Sequence, residues 1–315
     1  MANYLVTGGC GFIGSNVANR LLKDGHRAIL FDNLSRPNVV KNLMWLISNN
    51  NRIKFLQYDV RDAERVKQVV NDFDIDVIFH FAAQVGVTTS IENPRHDFEV
   101  NALGTFNVLE AARLSGKKPQ IIFASTNKVY GDFETDESVS EKQPLSFCTP
   151  YGCSKGAGEQ YVLDYHKIYG LPTTVLRMSC IYGQRQFGTE EQGWLAHFMF
   201  SKKEKKPITI YGDGNQVRDV LYIDDYVDLC LSLVENKDKV VGEVFNIGGG
   251  RDNQISVIDA VKRIGNEYSF ADWRPNDQHF YVSNLEKINK FIGWSPQIGI
   301  EEGLERLKKW TENPR

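Results

Sequence analysis

Over the first 180 residues, short apolar runs alternate with longer stretches in which apolar residues recur three and four positions apart. The short runs predict strands at 4–7, 28–32, 53–58, 77–81, 121–125 and 173–178. The stretches with helical spacing predict helices at 13–23, 63–71, 101–114 and 154–168. Alternation on this scale is typical of parallel β-α-β units. We therefore expect an α/β fold built on a doubly wound parallel Rossmann sheet.

The pattern changes after residue 180. The segment 184–213 is rich in polar, aromatic and glycine residues, and a strand-like run returns at 243–247. We expect a first domain of residues 1–180 that takes a later return segment near 220–250. Residues 181–315 then form a smaller, interleaved C-terminal lobe.

Composition narrows the class of protein. The 315 residues carry 37 basic and 40 acidic side chains, a formal net charge of -3, which gives no reason to expect nucleic acid or a membrane surface as partner. The longest apolar runs are shorter than the roughly 18 residues that span a bilayer, and the N-terminus lacks the pattern of a signal peptide. The five cysteines are scattered, with no CxxC pair. We expect reduced thiols in a cytoplasmic protein, and no metal site.

A glycine motif at residues 7–14, TGGCGFIG, follows the first predicted strand and opens the first predicted helix. Gly8, Gly11 and Gly14 let a backbone approach a pyrophosphate, and the helix N-terminus offers free N–H groups to that anion. Asp32 ends the second strand, where a carboxylate binds both ribose hydroxyls of NAD and repels the 2′-phosphate of NADP. Arg36 leaves NADP open, because a nearby arginine can accommodate that phosphate.

Later strand ends extend the same groove, since a doubly wound sheet places ligands at the carboxyl ends of its strands. The predicted cofactor is NAD. The predicted cofactor residues are Gly8, Gly11, Phe12, Ile13, Gly14, Asp32, Asn33, Ser35, Arg36, Asp59, Val60, Phe81, Ala82, Ala83, Gln84, Asn101, Ser125, Tyr151 and Lys155.

A catalytic pair is predicted at Tyr151 and Lys155, which lie four residues apart and so share one face of a helix. A free phenol has a pKa near 10, and a close ammonium together with an oxidised nicotinamide favours the phenolate and lowers that value. Tyr151 could then remove a hydroxyl proton while a hydride leaves the same carbon. Thr126, at the end of a strand, would hold the reacting hydroxyl. The three residues are the predicted catalytic set.

These motifs together resemble the extended short-chain dehydrogenase/reductase family of nucleotide-sugar enzymes. The resemblance rests on TGGCGFIG, Ser125-Thr126 before VYG, YGCSK at 151–155 and Arg218-Asp219 before Val220, and it covers essentially the whole chain. It implies that residues 1–180 bind NAD and that residues 181–315 bind a nucleoside diphosphate sugar. The sugar is oxidised transiently by a tightly held NAD and reduced again.

The branch of the family is indicated by two further blocks. Dehydratases of the family carry Asp-Glu after the threonine, where this chain has Asn127 and Lys128, which argues against loss of water. RQF at 185–187 followed by QGW at 192–194 resembles the CDP-paratose (CDP-tyvelose) 2-epimerase branch. The resemblance implies NAD-dependent epimerisation at C2 of a CDP-hexose. Because the segment 132–147 is shorter than in that branch, CDP-glucose and CDP-mannose stay open as substrates.

The predicted partner is therefore a CDP-sugar, bound by cations and aromatic side chains of the second lobe. The predicted substrate residues are Thr126, Asn127, Arg185, Gln186, Phe187, Trp194, Arg218 and Arg274. For Phe187 and Trp194, core packing is an equal alternative. The resemblance also implies a homodimer that pairs the helices at 101–114 and 154–168. Two other functions stay open: C4 epimerisation of a UDP-sugar, and a catalytically silent NAD-binding regulatory protein.

Overall fold

The computed structural model describes residues 1–50, 52–132, 135–274 and 277–314. Within these ranges the strands are β1 (Asn3–Thr7), β2 (Arg27–Phe31), β3 (Ile53–Leu56), β4 (Val77–His80), β5 (Gln120–Thr126), β6 (Thr173–Met178), β7 (Cys180–Tyr182), β8 (Ile208–Tyr211), β9 (Val217–Tyr222), β10 (Val244–Ile247), β11 (Gln254–Ser256), β12 (Tyr268–Ala271) and β13 (Phe280–Tyr281).

The α-helices of the same ranges are α1 (Phe12–Lys23), α2 (Val39–Asn49), α3 (Ala63–Asp72), α4 (Val87–Glu92), α5 (Pro94–Phe98), α6 (Gly104–Leu114), α7 (Thr149–Tyr169), α8 (Trp194–Lys203), α9 (Ile223–Glu235), α10 (Lys237–Val240), α11 (Val257–Ile264), α12 (Glu286–Ile292) and α13 (Ile300–Glu312). Short turns of 3-10 helix cover Asn127–Tyr130 and Arg251–Asn253, and a π-turn covers Glu99–Leu103.

The main sheet among the described residues has seven strands in the order β10-β6-β5-β4-β1-β2-β3, and each neighbouring pair is parallel. The order reverses at β1, which pairs with β2 on one side and with β4 on the other. At such a switch point the connections leave on opposite faces of the sheet and open a crevice at the carboxyl ends of the strands. The predicted doubly wound parallel sheet is confirmed.

Helices cover both faces of this sheet because its strands are buried on both sides. One face packs mainly on α1, α2 and α9, and the other on α3, α6 and α7. The fully buried aromatic residues include Phe31, Phe79, Phe123 and Phe245, one from each of four strands. Burial of each such side chain contributes about 1.5–3 kcal/mol, so the core fixes the strand ends that surround the crevice.

Smaller sheets follow the sixth strand. Strand β9 pairs with β7, β11 and β13, while β8 pairs with β12. Between these segments the chain returns to the main sheet, where Val244 of β10 lies opposite Val175 of β6. The boundary between two domains at residue 180 stays a prediction.

Two helices begin at residues other than those that the sequence pattern predicts. The helix predicted from Asn101 starts as the π-turn, and α6 proper begins at Gly104. The helix predicted from Ser154 is α7, which begins five residues earlier with Pro150 in its first turn. Tyr151 therefore lies within the helix, and not ahead of it. In the described ranges, none of the helices is long and apolar enough to cross a membrane.

Candidate active site

A cavity of about 780 Å³ opens at the carboxyl ends of the main-sheet strands and continues beneath the loop that follows β7. One end is lined by the glycine loop, the ends of β2 to β5 and the start of α7. The other end is lined by residues 178–181, residues 185–192 and Arg218. The geometry therefore joins the predicted cofactor groove to the predicted substrate lobe in one continuous space.

The glycine loop is shaped by close backbone contacts. Gly8 has a positive φ of 65°, and a Cβ atom there would lie 2.8 Å from the amide nitrogen of Ala82. A Cβ at Gly14 would clash with the carbonyl oxygen of Gly8. The amide of Gly11 donates to that same oxygen at 3.0 Å, which closes the turn before α1. The loop thus needs glycine at these positions, and it leaves space above the N-terminus of α1.

The carboxylate of Asp32 is positioned by backbone donors at the end of β2. Its two oxygens accept hydrogen bonds from Cys10 N at 3.0 Å and Leu34 N at 2.8 Å. Burial raises the pKa of Asp32, while these backbone donors act in the opposite direction. At the neighbouring strand end, Asn33 Nδ2 donates to Asp59 at 2.9 Å. The carboxylates of Asp32 and Asp59 thus lie along one wall of the cavity, as the sequence predicts.

The opposite wall is held by Asn101, which does not itself line the cavity. Its side-chain amide binds the backbone of Gln84 at both groups, accepting from Gln84 N at 2.9 Å and donating to Gln84 O at 3.0 Å. The same Nδ2 lies 3.1 Å from Asp97 and 3.1 Å from Ser154. Asn101 therefore orders the loop after β4, and its predicted contact with a cofactor stays a prediction.

The predicted catalytic residues converge at the middle of the cavity. Thr126 ends β5, and Tyr151 and Lys155 line the cavity from the first two turns of α7. Lys155 is 3% exposed, and its ammonium lies 4.3 Å from the centroid of the Phe123 ring. Among the described residues it has no hydrogen-bond acceptor, so its three donors are available to a ligand.

Burial dominates the pKa values of Tyr151 and Lys155. Burial raises the pKa of Tyr151 to about 12, although a hydrogen bond from Thr126 lowers it. Burial also lowers the pKa of Lys155 to about 7, against the charges of Asp97 and Glu159. The charge of Arg36 also lowers the pKa of Tyr151, and that of Asp97 raises it. The lowered phenol pKa that the sequence predicts includes the charge of an oxidised nicotinamide, and it stays a prediction.

A buried ion pair supports this centre from below. Glu159 is fully buried one turn beyond Lys155, and its Oε2 accepts from Ser125 Oγ at 2.6 Å. Its Oε1 accepts from Arg177 at 3.0 and 2.5 Å. Arg177 in turn donates to Tyr130 Oη at 2.8 Å. The pair connects α7, β5 and β6 directly behind Thr126.

The substrate end carries two cations and two amides. Arg218 donates to Asp277 at 2.9 Å, and Lys128 Nζ lies 3.7 Å from the same carboxylate oxygen. Asn127 Nδ2 donates to Gln278 Oε1 at 3.0 Å. Lys128 was not among the predicted site residues, yet it lines the cavity together with Asn127 and Arg218.

The other predicted substrate residues divide into two groups. Arg185, Gln186 and Phe187 line the cavity, whereas Trp194 and Arg274 do not. Trp194 packs at 5.5 Å on the ring of Phe198. Arg274 lies over the ring of Tyr211 at 3.9 Å and donates to Glu190 O at 3.2 Å. The structure therefore brings three of these five residues to the cavity, and their roles remain predictions.

Comparison with known proteins agrees with this geometry. A family model described as GDP-mannose 4,6 dehydratase matches residues 5–307. The chain belongs to this family. The membership in the extended short-chain dehydrogenase/reductases that the sequence motifs predict is confirmed.

Three similar proteins within or near the family are informative. The CDP-paratose 2-epimerase of Salmonella typhi is 41% identical, over 98% of this chain and 99% of that protein. The UDP-glucose 4-epimerase of Thermotoga maritima, solved with UDP-glucose, has a TM-score of 0.90 at 33% identity over 99% of each chain. The UDP-glucuronic acid 4-epimerase of Bacillus cereus, solved with UDP-glucuronic acid and NAD, has a TM-score of 0.89 at 30% identity over 99% and 100% of the two chains.

Sequence reasoning missed several residues in or next to the cavity of this family member: Glu191 lines it, whereas Asp97 and Glu159 lie behind its lining. Asp97 is fully buried, and its charge raises the pKa of both Tyr151 and Lys155. Glu191 reaches across the cavity mouth and accepts from Thr89 at 2.7 Å. For Glu159 the sequence does carry a signal, because it lies eight residues after Tyr151 on the same helix face. For Asp97 and Glu191 the sequence carries no such signal, since only the tertiary fold places them near Tyr151 and at the cavity.

Proposed function

We propose that the protein is an NAD-dependent epimerase that acts at C2 of a CDP-hexose, with CDP-paratose and CDP-tyvelose as the reference pair. The observation that carries the proposal is the 41% identity to a CDP-paratose 2-epimerase over nearly the full length of both chains. Membership in a family of nucleotide-sugar epimerases and dehydratases makes the chain an NAD-dependent enzyme of that class. The arrangement of Thr126, Tyr151 and Lys155 supports this chemistry.

The groove fits NAD in shape and donor set. The glycine loop leaves space for a pyrophosphate above the N-terminus of α1, where a Cβ at Gly14 would clash. Asp32 offers carboxylate oxygens to ribose hydroxyls at the end of β2, and Lys155 offers donors at the other end of the groove. NAD bound there would supply a hydride acceptor and donor and, when oxidised, a positive charge.

Tyr151 acts as the acid and base of the proposed reaction. Its phenolate takes the proton of the C2 hydroxyl when the sugar is oxidised. After the keto sugar has rotated to present its other face, the phenol returns a proton to the oxygen on C2. Thr126, which lines the same cavity as Tyr151, orients that oxygen. Lys155 stabilises the phenolate by charge. The proton thus stays at Oη of Tyr151 between the two half-reactions.

Asn127 and Lys128 set the outcome of the keto stage. An amide and an ammonium follow Thr126 where a dehydration would need carboxyl groups to remove a carbon-bound proton and to protonate a departing hydroxyl. The Asn127 amide is also engaged by Gln278. The keto sugar can therefore be reduced again, and elimination has no catalyst at these two positions.

The test is direct incubation in heavy water with CDP-paratose, CDP-tyvelose or CDP-glucose, followed by NMR of the product at C2. We expect inversion at C2 with little solvent deuterium on that carbon, because the hydride removed from C2 returns to it. Full deuterium incorporation at C2 would show enolisation and contradict the proposed route. Bound nucleotides released by denaturing the purified protein provide an independent readout of NAD.

A C4 epimerase of a UDP-sugar is the second candidate. The solved UDP-glucose and UDP-glucuronic acid 4-epimerases are similar over 99% of this chain. The same incubation with UDP-glucose and UDP-glucuronic acid separates the two functions. A C4 epimerase would invert C4 of these uridine nucleotide sugars and leave the CDP-sugars unchanged at C2.

A homodimer through α6 and α7 is part of the proposal. Leu114, Tyr161, Ile168 and Tyr169 are exposed on these two helices, and an interface there would cover them. Light scattering should give twice the mass of one chain, and Ile168→Glu should give the mass of a monomer. A monomeric parent protein at micromolar concentration would contradict the dimer.

A further inference from the structure

Lys128 places a weakly engaged cation in the cavity. Its side chain is 18% exposed, and its ammonium lies 3.7 Å from Asp277 Oδ1, beyond hydrogen-bond distance. Among the described residues no other acceptor approaches it. Burial and the charge of Arg218 both lower the pKa of Lys128. An ammonium with three donors, held in a partly buried position beside a second cation, is suited to an anionic ligand.

Two cations converge on a single carboxylate oxygen. Arg218 donates to Asp277 Oδ1 at 2.9 Å, and Lys128 Nζ lies 3.7 Å from the same oxygen. Arg218 also donates to the carbonyl oxygens of Gln278 and Val217. The two cations and one carboxylate carry a net positive charge. A phosphoryl oxygen is the ligand that matches two converging cations.

The position of Lys128 along the cavity selects one phosphate. Lys128 lies two residues after Thr126, which caps the 3-10 turn, and its backbone N–H donates to Thr126 Oγ1 at 3.2 Å. The backbone of Lys128 is thus anchored at the predicted catalytic threonine, whereas Arg218 extends from β9. Within a nucleoside diphosphate sugar, the phosphate closest to the reacting hexose is the β-phosphate.

Resting on the proposed nucleotide-sugar substrate, we propose that Lys128 binds the β-phosphate and that Asp277 occupies this anion site until the substrate arrives. Arg218 stays beside the site because it also donates to the carbonyl oxygens of Val217 and Gln278. Lys128 then distinguishes diphosphates from monophosphates. Asp277 opposes diphosphate binding in two ways: its negative charge repels the phosphate, and its carboxylate occupies the position beside the two cations that the phosphate would take.

Titration calorimetry with CDP, UDP, CMP and UMP tests the assignment on the NAD-loaded protein. Lys128→Met should weaken binding of the preferred diphosphate by about tenfold or more, the range of a lost charge-assisted hydrogen bond, and change binding of the matching monophosphate less than twofold. Lys128→Arg should restore most of the loss. Lys206→Met, which removes an exposed lysine outside the cavity, serves as the matched control. Lys128→Gln replaces the methionine variant if that variant does not fold.

Asp277→Asn tests the second half of the proposal. This variant should bind the diphosphate several-fold more tightly, because the competing charge is gone while Arg218 keeps an acceptor. Equal losses for diphosphate and monophosphate in Lys128→Met, or no loss, would overturn the role of Lys128. Unchanged or weaker diphosphate binding by Asp277→Asn would overturn the role of Asp277. Preferential binding of uridine nucleotides over cytidine nucleotides would contradict the proposed function, independently of the roles of Lys128 and Asp277.

Discussion

Tyr151→Phe is expected to lower the turnover of the preferred nucleotide sugar by about three orders of magnitude, within the 10²–10⁴-fold range of a lost acid–base catalyst. The phenylalanine ring keeps the packing of the first turn of α7, whose backbone amide at position 151 is hydrogen-bonded to Ser90 Oγ at 3.2 Å. Only the hydroxyl that transfers the proton is removed. Steady-state kinetics by NMR at several substrate concentrations would measure the effect.

The controls separate chemistry from binding and folding. The NAD content and the melting temperature of Tyr151→Phe should equal those of the parent protein. Tyr268→Phe removes the hydroxyl of an exposed tyrosine on β12, outside the cavity, and should leave turnover unchanged. Retention of more than a tenth of the parent turnover by Tyr151→Phe would exclude Tyr151 as the acid and base.

The cofactor side of the cavity was predictable because its signals are local. Gly8, Gly11 and Gly14 follow β1 and open α1 within eight residues, and Asp32 ends the next strand. Each feature depends on the backbone of one β-α unit, so the sequence order already fixes its place. The strand order then aligns the loops that carry Asp59 and Gln84 at the same edge.

The start of α7 was not predictable from its residues. Gly152, Gly156 and Gly158 each lower helix propensity by about 1 kcal/mol relative to alanine. Only Gly152 precedes Ser154, and together with Pro150 it hides the first turn of the helix in the sequence pattern. The structure explains these glycines by contact. A Cβ at Gly156 would clash with the ring of Phe147, and one at Gly152 would lie 3.0 Å from Lys128 O. Tertiary packing outweighs local propensity there.

The substrate end depends on pairings between segments far apart in the chain. Asp219 is buried in β9, where it accepts from Ser179 Oγ at 2.5 Å, Gly250 N at 3.0 Å and Ser283 N at 3.1 Å. Arg218 meets Asp277, 59 positions later. Strand segments of two to six residues carry too little periodicity to indicate such partners. Composition alone likewise could not show that basic side chains would gather here.

Arg177→Met is expected to have the largest effect on stability, lowering the free energy of unfolding by about 3–5 kcal/mol. The substitution leaves Glu159, which is fully buried, without its cationic partner. Burial lowers the pKa of Arg177, but the hydrogen bonds to Glu159 and its charge raise that pKa by more, so the Arg177 guanidinium is charged in the folded protein. The Arg177→Met substitution also removes the hydrogen-bond donor to Tyr130 Oη. Urea unfolding followed by circular dichroism would measure the change.

The double variant Glu159→Gln/Arg177→Met separates the unpaired charge from lost packing. A glutamine can still accept from Ser125 Oγ, so the double variant should recover most of the stability that the single variant loses. Arg20→Met breaks an exposed pair with Asp24 and should change stability by less than about 1 kcal/mol. Equal instability of the single and double variants would mean that packing around Arg177 is responsible. Because the pair lies behind Thr126 and Lys155, a stable double variant with lowered kcat and unchanged KM would identify Glu159 and Arg177 as positioning residues for the proton transfer.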